Sequence, residues 1–294
     1  MKDQFQYQSI AEACAERVTL PFSKYLWNGQ HGEFGGNGTG SSMDFQDHKE
    51  YAPGDDPRYI NWSAYARTGS YIIKQFREEV RPSLDLIIDV SPSMFFEEQK
   101  RQRTCELVYL IHSIAKRNGA EIQVHVATSS VCKLIDPDQL NMGVWLEKIE
   151  KMENMDRSDN ASTQPNLHHA NFRANSIRVL ISDLLFVGDP SDVLQPLLKG
   201  QGKPVLLVPY LKSEENPDWE GNYDFIDVEA DTKHQHRIDS TTLQQYKKLY
   251  LSHFSLWIDN LQRYQTKMAK IPAEGDLFEA LSKQALAEQI FSIT

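Results

Sequence analysis

The chain has few of the features that mark secreted, membrane or nucleic-acid-binding proteins. Only three of its 294 residues are cysteine, and they lack the Cys-x-x-Cys spacing of zinc and redox motifs. No hydrophobic run approaches the roughly 18 residues of a membrane-spanning helix, and the first residues lack the apolar core of a signal peptide. These absences argue against a disulfide framework and a membrane span, and they predict a cytoplasmic protein.

Positive charge is also scarce. The sequence contains 31 Lys and Arg against 41 Asp and Glu residues, which gives a formal charge of −10. Nucleic acids and anionic membranes are bound by basic patches, so a broad surface of either kind is not expected. Hydrophobic residues make up 40% of the chain, which is ordinary for a globular protein with a sizeable core. The charge balance disfavours a broad nucleic-acid or anionic-membrane surface and leaves a local basic patch open.

Strand and helix patterns alternate in the second part of the chain. Short continuous hydrophobic runs are typical of strands buried in a parallel sheet, and apolar residues at helical spacing fall between them. This β-α-β order predicts an α/β fold with a doubly wound, mostly parallel sheet flanked by helices. Strands are predicted near 84–90, 122–127, 131–135, 177–183, 204–210, 225–228 and 234–238, and helices near 97–118, 138–152 and 191–199.

Composition divides the chain into two parts. Residues 1–82 are rich in glycine and aromatic residues and carry few signals of buried strands. They are predicted to form a β-containing N-terminal segment packed on the main domain. Residues 83–294 are predicted to form that domain with a C-terminal helical extension, in which apolar residues at helical spacing predict a long helix from about Ser240 to Met268.

Oxygen-bearing side chains follow two of the predicted strands. Asp89, Ser91 and Ser93 alternate after the first, so an extended loop can direct all three oxygens to one point. Asp183 ends a second strand, and Thr163 lies in a polar loop between the two. Open α/β sheets bind ligands at the carboxyl ends of their strands, and oxygen ligands suit Mg²⁺ or Mn²⁺. The sequence therefore predicts a divalent-cation site.

This pattern resembles the metal-ion-dependent adhesion site of the von Willebrand factor A fold. The resemblance implies that Ser91, Ser93 and Thr163 bind the ion directly. It implies that Asp89 and Asp183 mainly hold the ion's water ligands, which Mg²⁺ gives up reluctantly. The remaining position would take an acidic side chain of a protein partner. The alternative is that Asp89 and the two serines only cap the helix that follows.

The N-terminal part carries a second resemblance. Asp44-Phe45, the run from Lys49 to Trp62 and Ala66-Arg67-Thr68-Gly69 follow the order and spacing of the bacterial family known as domain of unknown function 58. That family joins such a segment to a von Willebrand factor A-like domain. Lys49 stands where arginine is usual and Asn61 where aspartate is usual, so an ion pair made by the family at Asn61 is in doubt here.

Two interpretations of this segment remain open. Pro53-Gly54 suits a tight turn, Arg58 and Arg67 have acidic neighbours to pair with, and Trp62 is expected to fill a core. These features favour a structural clasp. The alternative is a surface on which a partner docks.

Two functions from different classes are consistent with these motifs. The first is a non-catalytic, Mg²⁺-dependent protein-interaction module. The family resemblance implies that it acts with a MoxR-type AAA+ ATPase in chaperone-like assembly or maturation of a protein complex. The second is a Mg²⁺-dependent phosphotransferase or phosphatase with Asp89 as its nucleophile. That chemistry needs a second acid two residues further on, where Ser91 stands, so the binding module is preferred.

Other candidate features are interpreted as structural or solvated. Lys100, Arg101 and Arg103 lie near the start of a predicted helix and are expected to form a solvated face. Gly35 to Ser42 resembles a phosphate-binding loop but lacks the Gly-Lys-Ser/Thr ending. No Ser-His-Asp or Cys-His set can be assigned from spacing alone.

Overall fold

The protein is described here by a computed structural model covering residues 2–22, 43–78, 81–141, 143–147, 149, 164–227 and 232–294. The chain divides into two compact units, a larger one of Met1–Tyr25 and Pro82–Thr294 and a smaller one of Leu26–Arg81. Residues 1–25, which the sequence pattern assigned to an N-terminal segment of residues 1–82, belong to the larger unit.

The larger unit is built on a six-stranded sheet. From one edge to the other, the strands are β11 (Lys267–Pro272), β8 (Lys203–Tyr210), β7 (Ile177–Ile181), β4 (Ser83–Asp89), β5 (Glu121–Ala127) and β6 (Cys132–Ile135). Every neighbouring pair is parallel except the antiparallel pair of β5 and β6. This confirms the predicted mostly parallel α/β sheet. The strands outside this sheet are β1 (Val18–Thr19), β2 (Met43–Glu50), β3 (Ile72–Glu78), β9 (Gly221–Asp227), β10 (Thr232–Ile238) and β12 (Ser292–Ile293).

Helices cover both faces of this sheet. The named helices are α1 (Lys2–Ala15), α2 (Trp62–Thr68), α3 (Pro92–Phe95), α4 (Glu98–Arg117), α5 (Asp138–Asn141), α6 (Pro190–Leu198), α7 (Lys212–Glu215), α8 (Ser240–Arg263) and α9 (Leu277–Lys283). Helices α1, α4 and α9 contribute to one hydrophobic cluster, and α6 and α8 contribute to another. Helix α1 belongs to the larger unit because Tyr7, Ala11 and Cys14, which share one face at helical spacing, are buried in the first cluster.

The central strand β4 has apolar side chains on both faces of the sheet, which is why helices cover both faces. Leu84, Leu86 and Ile88 are buried in the first cluster, and Ile87, between them, is buried in the second. Side chains alternate between the faces of a strand, so a strand covered on both sides is a continuous hydrophobic run. Asp85 interrupts that run and is also fully buried.

The C-terminal part contains a sixth sheet strand that the sequence analysis missed. The helix predicted to reach Met268 ends at Arg263, and β11 follows. The turn between them has Gln265 in the left-handed region at φ 52°, and Thr266 N–H donates to the Leu261 carbonyl at 2.9 Å. This is the hydrogen bond of a Schellman helix end, which usually has glycine at the left-handed position. The expected stop signal was therefore absent from the sequence.

The smaller unit contains the antiparallel pair of β2 and β3 together with α2. Lys49 pairs with Asp55 at 3.2 Å, and Arg58 pairs with Asp56 at 2.6 Å. Asn61 is the N-cap of α2, because its side-chain oxygen accepts the Ala64 N–H. The expectation that Trp62 fills a core is wrong. Trp62 begins α2 and is 60% exposed.

Candidate functional site

The carboxyl edge of the sheet contains a topological switch point between β4 and β7. From β4 the chain continues to β5 on one side, and it later returns to β7 on the other side. Open α/β sheets bind their ligands in the crevice formed at such a point. Asp89 is the last residue of β4, and Asp183 lies two residues beyond the end of β7. The structure therefore brings the two predicted aspartates to the same crevice.

Asp89 is a buried carboxylate held by neutral donors. Its Oδ1 accepts the Ser91 N–H at 3.0 Å, and its Oδ2 accepts the Ser182 hydroxyl at 2.6 Å. Burial and the nearby charge of Asp183 raise the pKa of Asp89 to about 6, although these hydrogen bonds act in the opposite direction. Among the described residues, no Lys, Arg or His pairs with this carboxylate. Its negative charge is therefore poorly compensated.

The two predicted serines lie next to each other beyond Asp89. Their Oγ atoms are 3.1 Å apart and share a hydrogen bond. Ser91 is the N-cap of α3, but its side chain makes no capping hydrogen bond. Helix capping therefore does not account for the Ser91 hydroxyl, although Asp89 does accept the Ser91 N–H. Thr163, the fifth predicted residue, lies outside the described residues, as does the glycine-rich run from Gly35 to Ser42.

Asp183 already has a cationic partner. Its Oδ2 accepts a hydrogen bond from Lys100 Nζ at 2.7 Å, and its Oδ1 accepts the Leu185 N–H at 3.1 Å. The interpretation of Lys100 and Arg103 as a solvated face is wrong, because each is 1% exposed. Both project from α4 into the unit, where Arg103 donates to the Ala273 and Gly275 carbonyls.

Lys100 joins the crevice to a second acid. Its Nζ also donates to Glu214 Oε1 at 2.8 Å, and Glu214 belongs to α7. Burial alone lowers the pKa of Lys100, but the charges of Asp183 and Glu214 outweigh that effect, and the net shift is upward. With Asp89 included, this cluster sets three carboxylates against one ammonium, a formal charge of −2 when all are ionised.

The loop after Asp183 is held in a strained conformation. Leu184 has φ 58°, in the left-handed region that residues other than glycine rarely adopt. Three contacts fix this turn: Leu184 N–H donates to Ser182 Oγ at 3.1 Å, its carbonyl lies 2.7 Å from His253 Nε2, and Asp183 Oδ1 accepts the next N–H. Strain maintained in this way is typical of functional sites.

Exposed apolar side chains lie on the chain segments that follow the crevice residues Ser93 and Asp183. Phe96 follows α3 and is 55% exposed, and Leu185 and Val187 follow Asp183 and are 37% and 92% exposed. We call these three residues the apolar rim. A single exposed hydrophobic residue needs no explanation, but several beside a polar cluster are typical of a protein-binding surface.

Three described residues suit a hard cation by donor chemistry. Asp89, Ser91 and Ser93 supply oxygens, and the negative charge of the cluster matches a divalent ion. Asp183 fits less well, because Lys100 holds one of its oxygens. Among the described residues, no group of three or more His, Cys, Asp or Glu side chains is placed to hold a metal. The predicted set contains only two carboxylates, so its ligation depends on hydroxyl groups.

A separate cleft lies away from this crevice. It has a volume of about 710 Å³ and is lined by residues that include Phe172, Arg178 and Tyr264. Arg178 is the second residue of β7, at the opposite end of that strand from Asp183. Its guanidinium donates to the carbonyls of Arg173, Pro196 and Leu197 and is therefore fully engaged in holding the fold.

Four residues of the crevice were not predicted from the sequence as site residues, and one of them, Lys100, was interpreted as solvated. Ser182 had a signal, since it stands in the strand-end Ser-Asp pair. Lys100, Glu214 and His253 had none, because each reaches the crevice from a distant part of the chain. No helix among the described residues is long and apolar enough to cross a membrane.

The fold and this crevice define a class: an α/β protein with a mostly parallel sheet and a hydroxyl–carboxylate cluster at its switch point. The chain belongs to the family described as "Protein of unknown function DUF58", whose model matches residues 47–254. This confirms the resemblance to domain of unknown function 58. No curated protein gives a significant match.

Two solved structures show a remote similarity. One is the conserved hypothetical protein BatB from Bacteroides thetaiotaomicron, with 13% identity, a TM-score of 0.34 and coverage of 70% of this chain and 98% of that chain. The other is an aerotolerance-related membrane protein from Bacteroides fragilis NCTC 9343 with multiple mutations to serines, with 14% identity, a TM-score of 0.36 and coverage of 71% and 98%. Both TM-scores are low, so the family assignment depends on the sequence match.

Proposed function

We propose that this protein is a non-catalytic binding module whose von Willebrand factor A-like domain holds Mg²⁺ or Mn²⁺ at the switch point. The proposed ligand set is Asp89, Ser91, Ser93, Thr163 and Asp183. The observation that carries the proposal is the buried Asp89 carboxylate, which lies beside two hydroxyl groups and has no cationic partner among the described residues. The strand order and the switch point between β4 and β7 support the domain assignment.

The chain's own residues would orient the donors. Asp89 fixes the backbone of Ser91 through the N–H that it accepts, and Ser182 fixes the second Asp89 oxygen. The strained turn at Leu184 holds Asp183 at the edge of the sheet. When bound, the ion would supply a positive centre to which an acidic side chain of a partner can bind.

A protein partner fits the surroundings of the crevice. The apolar rim offers Phe96, Leu185 and Val187 for contact with a partner's hydrophobic residues. The family resemblance suggests a MoxR-type AAA+ ATPase as that partner, in chaperone-like assembly or maturation of a complex. The three cysteines are free, which suits the reducing cytoplasm that we propose as its compartment.

The enzymatic alternative is a phosphotransferase that uses Asp89 as its nucleophile. Both oxygens of Asp89 accept hydrogen bonds and the side chain is buried, so neither oxygen is presented for attack on phosphorus. Ser91 also occupies the position where that chemistry needs an acid. Robust Mg²⁺-dependent phosphatase turnover that Asp89→Asn abolishes would establish the enzyme and overturn the binding module.

The ion site is tested by thermal unfolding. A ligand that binds only the folded state stabilises it, so millimolar Mg²⁺ is expected to raise the Tm of the wild-type protein. Asp89→Ala should abolish this rise while the far-UV circular dichroism spectrum stays unchanged. Asp259→Ala, an exposed acid on α8, is the matched control and should respond like wild type. No Mg²⁺ effect on the wild type, or an equal effect on Asp89→Ala, would contradict the site.

The partner is tested by affinity capture from the native host with Mg²⁺ or with a chelator. The proposal predicts capture of a MoxR-type ATPase only with Mg²⁺, and its loss in Asp89→Ala. Val187→Asp should also lose capture, because it places a charge in the apolar rim, yet it should keep the Tm response to Mg²⁺. Capture that is indifferent to both the ion and these substitutions would place the interface elsewhere.

A further inference from the structure

Lys100 is the one buried ammonium group in the crevice among the described residues. Lysine is almost never fully buried unless it is paired, yet Lys100 is 1% exposed and lies in the first turn of α4. Its Nζ bridges Asp183 Oδ2 at 2.7 Å and Glu214 Oε1 at 2.8 Å. A fixed positive charge thus lies directly on one of the proposed ion ligands.

The second acid of this bridge is anchored independently of Asp183. Glu214 Oε2 accepts the Leu211 N–H at 2.9 Å, and the Glu214 carbonyl accepts the Tyr246 hydroxyl at 2.7 Å. Lys100 therefore keeps a well-positioned carboxylate even if Asp183 turns away from it. In the structure the ammonium is shared between Asp183 and Glu214, and Glu214 is placed to hold it alone.

We propose that Lys100 is a built-in cation that competes with the divalent ion for Asp183 and so lowers the ion affinity of the crevice. This inference rests on the proposed function, because it concerns the same ion. Two cations beside one carboxylate repel each other strongly in a partly desolvated site. Binding of the ion then requires Asp183 to leave Lys100, and Glu214 keeps the ammonium paired when this happens.

A purely structural salt bridge makes a different prediction. If Lys100 only held α4 against α7, its loss would destabilise the fold without changing ion binding, or would weaken ion binding by disordering Asp183. Competition instead predicts that loss of the ammonium destabilises the ion-free protein and tightens ion binding. The sign of the change in affinity separates the two roles.

The experiment compares Lys100→Met, which has a similar length without the charge, with Lys100→Arg, which keeps the charge. Mn²⁺ binding is measured by titration with electron paramagnetic resonance of the free ion, and the Mg²⁺ dependence of Tm is measured in parallel. We expect Lys100→Met to bind Mn²⁺ at least about tenfold more tightly than wild type and to melt lower in chelator. Lys100→Arg should stay close to the wild-type affinity.

A second substitution covers the case in which Lys100→Met does not fold. Glu214→Gln leaves Asp183 as the sole carboxylate partner of Lys100, so we expect it to weaken Mn²⁺ binding. Glu215→Gln makes the same charge change at the next residue, which pairs with Lys270 and not with Lys100, and serves as the control. Only Glu214→Gln should show the full weakening.

Failure of this inference is distinguishable from failure of the proposed function. If the wild type binds Mn²⁺ but Lys100→Met binds it equally or less tightly, competition is wrong and the ion site stands. Equal behaviour of Glu214→Gln and Glu215→Gln would also overturn competition. If neither the wild type nor Lys100→Met binds Mn²⁺ at millimolar concentration, the ion site itself is wrong and the inference falls with it.

Discussion

Two buried aspartates on the central strand β4 have contrasting electrostatic environments. Asp85 and Asp89 are four residues apart and so share one face of the strand. Each accepts a hydroxyl hydrogen bond at 2.6 Å, Asp85 from Ser176 and Asp89 from Ser182. The residue type, the strand and the serine contact are the same at both positions.

The difference lies in the cations. Asp85 Oδ1 is 2.9 Å from the Arg173 guanidinium, and Asp85 Oδ2 is 3.8 Å from Arg178. Asp89 has only neutral donors among the described residues, and its pKa is raised to about 6. A buried carboxylate without a cationic partner destabilises the fold, so its presence beside the Ser91 and Ser93 hydroxyl groups supports the proposed cation site. The Asp85 end is complete in itself, whereas the Asp89 end has no cationic side chain among the described residues, and it is there that we propose Mg²⁺ binds.

The strongest test removes the carboxylate that is already neutralised. Asp85→Ala removes the carboxylate next to the buried Arg178 and leaves Arg173 with the exposed Glu121 at 3.7 Å. Breaking a buried pair costs about 3–5 kcal/mol. We expect this loss in the free energy of unfolding, measured by urea denaturation, with no recovery on adding Mg²⁺. Asp85→Asn, which keeps hydrogen-bonding capacity, should lose less. A loss below about 1 kcal/mol would mean that the arginines do not depend on Asp85.

The next substitution, Asp89→Asn, should raise the free energy of unfolding instead of lowering it. The pKa of Asp89 is raised from its ordinary value of 3.8 to about 6. The stability linked to this group is therefore complete below about pH 4 and is lost as the pH rises through about 6. Asp89→Asn removes the ionisation, so it should stabilise the ion-free protein above pH 7 by on the order of 3 kcal/mol and have little effect near pH 4.

Urea denaturation in chelator at several pH values measures this difference. Saturating Mg²⁺ should reduce or reverse it, because the ion compensates the wild-type carboxylate and not the amide. A less stable Asp89→Asn protein at pH 8 in chelator would show that Asp89 is already compensated. It would remove the contrast with Asp85.

Much of the fold was accessible from the sequence because β4, β7 and β8 are mainly hydrophobic runs, with Asp85 in β4 and Arg178 in β7 as the buried charged exceptions. Their pattern follows from burial on both faces, which is a local property of each strand. Strand β11 was missed because its lysines at 267 and 270 interrupt the apolar pattern and because Gln265 ends the preceding helix without a glycine signal. The burial of Asp85 was equally hidden, since the two arginines that make it possible lie about ninety residues away.

The site was only partly accessible for the same reason. The positions of Asp89, Ser91, Ser93 and Asp183 follow from where strands end, which the hydrophobic pattern indicates. Lys100 was misread because a lysine in the first turn of a helix is ordinarily solvated. Its burial depends on Glu214, which is 114 residues away in sequence. Long-range pairing of charges leaves no periodic trace in a single sequence.

The smallest expected change in stability comes from removing the serine hydroxyl groups that donate hydrogen bonds to the two aspartates. Ser182→Ala removes the hydroxyl that stabilises an uncompensated carboxylate, so it should cost about 1.5–3 kcal/mol at pH 8 in chelator. That cost should shrink as the pH falls through about 6, because Asp89 then becomes protonated. Ser176→Ala should show no such pH dependence, since Arg173 keeps Asp85 paired. Parallel pH profiles for the two variants would mean that the hydroxyls, and not the missing cation, dominate both environments.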